Sequence, residues 1–332
     1  MSITVTPFGA ADDHAIGEAC RIGAAAVAAD LPDFPPFCPR RFSASVRHPM
    51  PGNAPVHLLA RLDGEAAGYV TIDLPQLDNT ENASIELSVH PRHRRRGVGR
   101  ALVDRTIGVL RAEGRKRVST MTADTVPAGT AFAAALGADS VLADVRRRLD
   151  TTRLDQSVLA DLLAGARARS AGYETVRWQG DTPDDQVADV AYLDGRLIAD
   201  APMGDLAWEP EQIDAARVRG IEAALTARGR RRYHVGARHQ ASGRLVAWTL
   251  LDVGDSADWH AFQQITIVDP DHRGHHLGLL TKIENLRHLM AHEPAVRVID
   301  TFNAAANDHM IAINEQLGFQ VADTWTNWQL TL

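Results

Sequence analysis

The sequence predicts a mixed α/β (α+β) protein built from two similar copies of one unit, and three observations predict it. The first is a repeated pattern. An apolar strand ending in Val-x-Pro, Ile85-Glu86-Leu87-Ser88-Val89-His90-Pro91, leads into Arg94-Arg95-Arg96-Gly97-Val98-Gly99; later, Ile265-Thr266-Ile267-Val268-Asp269-Pro270 leads into Arg273-Gly274-His275-His276-Leu277-Gly278. Val89 and Val268, Arg94 and Arg273, and Gly99 and Gly278 all stand 179 residues apart. The second observation is a hairpin signal before each strand, and the third is a helix, strand and Leu-Gly-terminated helix after each loop.

Taken in order, residues 57–60 and 66–74 flank Asp63-Gly64 as a hairpin, and residues 233–237 and 245–253 flank Ser242-Gly243 in the same way. Each loop then opens a helix. Leu102, Ile107 and Leu110 mark the inward face of residues 99–112, and Leu280, Ile283 and Leu286 that of residues 277–290. Strands are predicted at 117–122 and 296–302, and the closing helices end at Leu136-Gly137 and Leu317-Gly318. The order β-β-β-α-β-α recurs, which places one domain at 1–151 and a second at 152–332. Between them, Leu154, Val158, Leu159, Leu162 and Leu163 recur at helical spacing, as in a packed connector helix.

The bulk numbers exclude several classes. A chain of 332 residues with 45% hydrophobic and 23% charged content has room for two soluble domains. No run of about 18 apolar residues appears, which argues against a membrane span, and the N-terminus lacks a secretory pattern. The two cysteines, Cys20 and Cys38, fit a reducing cytoplasm. A formal charge of −7 argues against a dedicated nucleic-acid binder. Positive charge is local instead, around Arg92, Arg94, Arg95, Arg96 and Arg100.

A strand that delivers free backbone amides to a helix N-terminus suits a diphosphate, because the amides converge and the helix dipole favours negative charge. Gly97 and Gly99 let that backbone approach closely. His272, His275 and His276 have no Cys or Glu nearby to complete a zinc site, so the phosphate loop accounts for their position and no metal is expected.

At these residues the chain resembles the GNAT superfamily of acetyl-CoA-dependent N-acetyltransferases, whose signature is Gln/Arg-x-x-Gly-x-Gly/Ala. Arg94-x-x-Gly97-x-Gly99 matches it, and the second copy matches with His276 at the first glycine position. The resemblance spans both halves. It implies two tandem GNAT folds, each a mixed, mostly antiparallel sheet with splayed fourth and fifth strands and flanking helices.

For the cofactor, acetyl-CoA, the resemblance implies that Leu87, Ser88 and Val89 run beside the pantetheine arm. Arg94, Arg95, Arg96, Gly97, Val98, Gly99 and Arg100 then cradle the pyrophosphate. In the second copy the equivalents are Ile267, Val268, Arg273, Gly274, His275, His276, Leu277 and Gly278, with Asn303 and Asn307 on the segment that follows the fifth strand. Glu86 lies where the family often places a general base. The family's acidic Tyr is absent: its position is Ala133 in the first copy and Asn314 in the second, and Asn314 either positions water or cofactor or makes a structural bond. Residues 32–37 fall where GNAT loops line the acceptor groove, and the matching segment 200–205 carries Asp200 and Asp205.

The expected activity is acetylation of a primary amine on a small molecule of antibiotic or secondary-metabolite type, by a cytoplasmic monomer or homodimer. The alternatives are a protein N-terminal or lysine acetyltransferase and a non-catalytic acyl-CoA-binding scaffold.

Overall fold

Asp63 and Gly64, at φ 51° and 89°, form the left-handed two-residue turn that the right-handed twist of a hairpin requires. In the computed structural model, which describes all 332 residues, they join β2 (Val56–Leu62) to β3 (Glu65–Asp73). Before them come β1 (Ile3–Phe8), α1 (Asp13–Asp30) and α2 (Pro39–Arg47). After them come β4 (Asn82–Val89), α3 (Val98–Ala112), β5 (Arg117–Ala123), α4 (Pro127–Ala135) and β6 (Asp139–Asp150). The rest of the chain forms α5 (Gln156–Arg169), β7 (Tyr173–Gln179), α6 (Val187–Gly195), α7 (Leu197–Asp200), α8 (Ala215–Ala227) and β8 (Arg230–His239). It continues through β9 (Leu245–Gly254), β10 (His260–Val268), α9 (Leu277–His292), β11 (Val298–Ala304), α10 (Asp308–Gln316) and β12 (Gln320–Thr331). No helix is long and apolar enough to cross a membrane.

Two compact units result, interleaved in sequence. Unit 1 holds Met1–Ala143, Gly204–Glu209 and Trp325–Leu332; unit 2 holds Asp144–Met203 and Pro210–Thr324. The sheet of unit 1 runs β1-β2-β3-β4-β5 and is finished by residues 325–331 of β12, antiparallel to β5. Only β4 and β5 are parallel in it. Unit 2 runs β7-β8-β9-β10-β11 and is finished by residues 144–150 of β6, antiparallel to β11; its parallel pair is β10 and β11.

Each sheet buries both faces. In unit 1, Leu102 and Leu110 of α3 cover one face with Leu58, Val70 and Ile72, while Ala19 and Ile22 of α1 cover the other with Leu59 and Tyr69. Unit 2 differs on the α9 face. Every residue of Leu277–Leu286 is buried, because α5 lies across α9 through Leu159, Leu163 and Ala166. Glu284, buried on α9, is held by Arg167 of α5 at 2.5 Å and also by Arg177. Val158 departs from the expected inward face of this connector and is 49% exposed. Cys20 and Cys38 are buried free thiols.

Candidate functional site

The parallel strands of unit 1 part company early. The β4–β5 ladder runs from Asn82↔Arg117 to Ser84↔Ser119 and stops; Thr120 Oγ1 then donates to the Ile85 carbonyl at 2.9 Å, closing the vertex of a V. Beyond it β3 still pairs with β4 as far as Gly68↔Val89. Leu87, Ser88 and Val89 therefore present one edge on which a ligand arm can pair like an added strand.

The loop expected to cradle the pyrophosphate follows directly. Pro91–His93 make a short 3₁₀ turn, Arg95 and Gly97 take φ of 59° and 87°, and α3 begins at Val98 with no side-chain cap. Asp12, Asp155, Asp214 and Asn307 cap α1, α5, α8 and α10. Leaving α3 uncapped keeps its first amides available to an anion. The start of α3 packs closely on its neighbours: a Cβ on Gly99 would stand 3.3 Å from Phe132, and one on Gly68 would stand 2.9 Å from Val98.

Arg94 does not reach outward. Its guanidinium holds Asp30 at the end of α1 through two bonds of 2.8 and 2.6 Å, and its Nε donates to the Val89 carbonyl at 3.2 Å. Arg100 pairs with Asp104 at 2.9 Å. Arg95 and Arg96 are exposed and form no ion pair within the chain, so they are the cations of this loop that remain for a ligand.

The α1 face of the V carries polar groups. Ile85, Leu87 and Val89 pack toward α3, so strand alternation turns Glu86 and Ser88 to the other side. Glu86 is exposed there. Tyr69, register partner of Ser88, is buried, and burial pushes its phenol up to about 12, with Ser88 hydrogen-bonding and Glu86 adding negative charge nearby. Within the 32–37 loop, Phe37 lies 5.6 Å from Phe42 and Phe34 lies 5.7 Å from Trp325, so these rings pack against other aromatics.

Unit 2 repeats the architecture with different side chains. Its ladder stops at Gln263↔Thr301, with Thr301 Oγ1 donating to the Gln263 carbonyl at 3.3 Å. The register of β10 against β9 shifts between Gln263 and Thr266, and the Gln263 amide fills the bulge with bonds to Thr249 Oγ1, the Leu250 carbonyl and the Ile265 carbonyl. Gly274 and His276 take φ of 85° and 55°, and α9 starts at Leu277 without a side-chain cap. His276 is thus a left-handed N-cap rather than a helical residue, and the amides of Leu277 and Gly278 follow it as in unit 1.

Arg273 pairs with Asp200 at 3.1 Å, with Arg196 on the same carboxylate, which engages the Asp200 expected to meet an acceptor. Asp205 falls in unit 1, where its amide donates to Val141. Around the loop, Ser170 Oγ donates to the His275 carbonyl at 2.8 Å, and the Tyr173 hydroxyl meets His272 Nδ1 at 2.9 Å.

Ile267 and Val268 flank the V of unit 2, but the face opposite α9 is closed. Trp178, Trp248, Ile265 and Ile267 form one buried cluster there. By register, Ile267 faces Trp248 where Ser88 faces Tyr69. His234 stacks on Trp178 at 4.9 Å and accepts from Trp248 Nε1 at 3.1 Å; burial holds its imidazole neutral, down to about 3. No counterpart of Glu86 stands on this face of β10, where Ile265 holds the position.

Asn314 and Asn303 meet: Asn314, fully buried on α10, donates to Asn303 Oδ1 at 2.7 Å, while its own Oδ1 has no partner. Asn307 caps α10 by accepting from Met310 N at 3.2 Å, apart from that pair.

Sequence reading missed three features: Tyr69, the twin Arg–Asp clasps and buried Lys282. The clasps had a signal, since Asp30 and Asp200 each close a helix ahead of a loop. Lys282 had one too, as a lysine on the inward stripe of an amphipathic helix. Burial pushes its amine down to about 7, and its Nζ lies 5.5 Å from the Phe319 ring.

Residues 25–138 match the acetyltransferase (GNAT) family. A mycothiol acetyltransferase of Thermomonospora curvata is 30% identical over 268 residues, covering 79% of this chain and 78% of that protein. A second, from Actinosynnema mirum, is 28% identical over 79% of this chain and 80% of its own length. Among solved structures, a tandem GNAT protein from the clavulanic acid biosynthesis pathway, determined without acetyl-CoA, superposes with a TM-score of 0.85 at 32% identity, covering 99% of this chain and 98% of that one. With two V-shaped sites of one design in a single chain, this protein belongs to the GNAT family of acetyltransferases, as a tandem member.

Proposed function

We propose that unit 1 acetylates a primary amine on a small molecule of antibiotic or secondary-metabolite type, using acetyl-CoA bound along Leu87–Val89 and the α3 cradle. The observation that carries this is the exposed carboxylate of Glu86 on the face of an open V. Unit 2, where Ile265 and Trp248 close that face, serves as a cofactor-binding or bracing copy. The small-molecule acceptor is supported by the named activity of the two mycothiol acetyltransferases.

Acetyl-CoA, when bound, supplies an activated acyl thioester. The protein's task is the acceptor. An alkylammonium of pKa about 10.4 is neutral in only about one molecule per thousand at pH 7.4, a deficit of about 4 kcal/mol. Glu86 accepts that proton and returns the amine as a nucleophile. Ser88 and the Tyr69 phenol, protonated throughout the neutral range, line the same face and hold polar groups beside Glu86. Neither Ala133 nor Asn314 offers a phenolic proton. A thiol of pKa about 8.5 departs without one.

Thiol release from acetyl-CoA across a panel of small amines, with lysine and N-terminal peptides alongside, tests this reading. Turnover with a small amine that collapses in Glu86→Gln supports it; turnover on peptides alone replaces the acceptor class. The absent phenol favours a second reading, a non-catalytic acyl-CoA-binding protein. That reading requires cofactor binding with no turnover even at pH 9.5, where the neutral fraction of an alkylamine has risen about a hundredfold from its value at pH 7.4.

A further inference from the structure

A small pocket of about 40 Å³ lies at the vertex of the V in unit 1. Ile85 and Thr120 reach it from the strands, Val103 and Thr106 from α3, and Ala133 and Ala138 from α4 and the turn after it. Thr120 spends its hydroxyl on the Ile85 carbonyl, whereas Thr106 Oγ1, on a residue 1% exposed, has no partner in the chain.

In unit 2 the corresponding positions carry bulk. Lys282 stands for Val103 and Asn285 for Thr106, each 179 residues on; Asn314 stands for Ala133 and Phe319 for Ala138, each 181 residues on. Lys282 packs against Phe319, and Asn285 is pinned by a 2.8 Å bond to the Tyr233 carbonyl. One copy has side chains where the other has space.

We propose that the vertex pocket of unit 1 receives the distal carbons of an acyl group longer than acetyl, so that three- and four-carbon acyl-CoA thioesters are its preferred donors. The inference rests on the acyl-CoA reading of this V and deepens it by naming the acyl group. From the cradle, a ligand arm that pairs along β4 travels ~13 Å between Val89 and Ile85. There the ladder closes, and the pocket is the space that adjoins that end of the strand edge. A pocket of about 40 Å³ holds about three water-sized spheres, which is room for about two added carbons. Each buried methylene strengthens binding about fourfold.

The transfer balances as for acetyl. The acyl carbon–sulfur bond breaks, a carbon–nitrogen bond forms, the amine proton passes to Glu86, and the thiolate takes a proton from solvent.

The test uses the full chain carrying Gly278→Glu, which sets a carboxylate in the unit 2 cradle so that unit 1 alone reports. Free CoA and its acetyl, propionyl, butyryl and octanoyl thioesters are titrated by calorimetry. The expected result is a ladder: propionyl about 4-fold and butyryl about 15-fold tighter than acetyl, octanoyl no tighter than butyryl. Ala138→Phe, which installs the ring that unit 2 carries, flattens the ladder to within about 2-fold, and the smaller change Val103→Met does the same. Equal affinity for acetyl and butyryl, or a ladder that survives both substitutions, overturns the pocket while leaving the V as a CoA site. Failure of free CoA to bind overturns the reading of the V itself, and the pocket with it.

Discussion

The loop of unit 1 turns left-handed at Arg95 and Gly97, and the loop of unit 2 turns left-handed at Gly274 and His276. The two positions are the same in each copy, and glycine has changed places with a larger residue at both. A non-glycine residue in this region is strained by about 1–3 kcal/mol, so each copy tolerates one strained residue to keep one backbone shape. The clasp is kept as well, Arg94 on Asp30 and Arg273 on Asp200. The V faces are not kept: one shows Glu86 to solvent and the other buries Trp248 and Ile265. The left-handed loop ahead of an uncapped helix persisted in both units, while the exposed polar face of the V persisted in one.

Four tests break or sharpen that contrast. The largest effect belongs to Glu86→Gln, which lowers kcat/KM by about 10²–10⁴-fold while acetyl-CoA affinity, read by calorimetry, stays within twofold. Ile265→Val at the matching place in unit 2 leaves turnover unchanged, and comparable losses from both changes erase the division of labour.

Next comes Asp300→Asn. Asp300 is fully buried; burial alone raises its pKa, but hydrogen bonds from Arg148 and His260 outweigh that and hold it far below the usual carboxylate range. Arg146, 1% exposed, bonds both Asp300 and Asp323. Removing the charge leaves Arg146 its bonds to Asp323 but takes the shared carboxylate from Arg146 and Arg148, which costs about 3–5 kcal/mol in urea unfolding. Ser119→Ala, at the matching place in unit 1, costs under about 1 kcal/mol.

Lys282→Met is smaller and opposite in sign. With a folded pKa of about 7 against an unfolded value of 10.5, the unfolded chain binds the extra proton between those limits. Stability therefore rises with pH from 7 toward 10.5 and levels off below 7, where both states carry the proton. The variant gains on the order of 4 kcal/mol at pH 7 and loses that slope in thermal scans taken from pH 7 to 10.

The smallest effects test the exchanged residues. His276→Gly stabilises by about 0.5–1 kcal/mol, and Gly97→Ala destabilises by about 1–2 kcal/mol, in paired urea titrations. Equal and negligible shifts at both would remove backbone strain from the comparison.

The hairpins, loops and helices of both copies were legible because short-range chemistry writes them: Asp63-Gly64 makes its turn whatever lies around it. The final strands were not. Nothing in 144–150 or 325–331 tells which parallel pair each completes, since a strand that alternates apolar and polar residues fits any edge of matching register. In the candidate site, backbone features were readable from glycine spacing, and Glu86 from its distance to Val89. Arg94 was legible as a loop residue but not as a clasp, because its partner Asp30 lies 64 residues away. Ile267 and Trp248, which help close the second face, read as ordinary strand residues until the register set them side by side.

The Arg94 clasp has a thermodynamic corollary. One guanidinium ties the tip of α1 to the turn proposed to hold the pyrophosphate, so an acceptor that displaces α1 alters how tightly the turn closes. Whatever factor the acceptor imposes on donor affinity, the donor imposes on the acceptor in return. Loading order then becomes a property of one ion pair, readable as unequal dissociation constants measured with and without the other substrate.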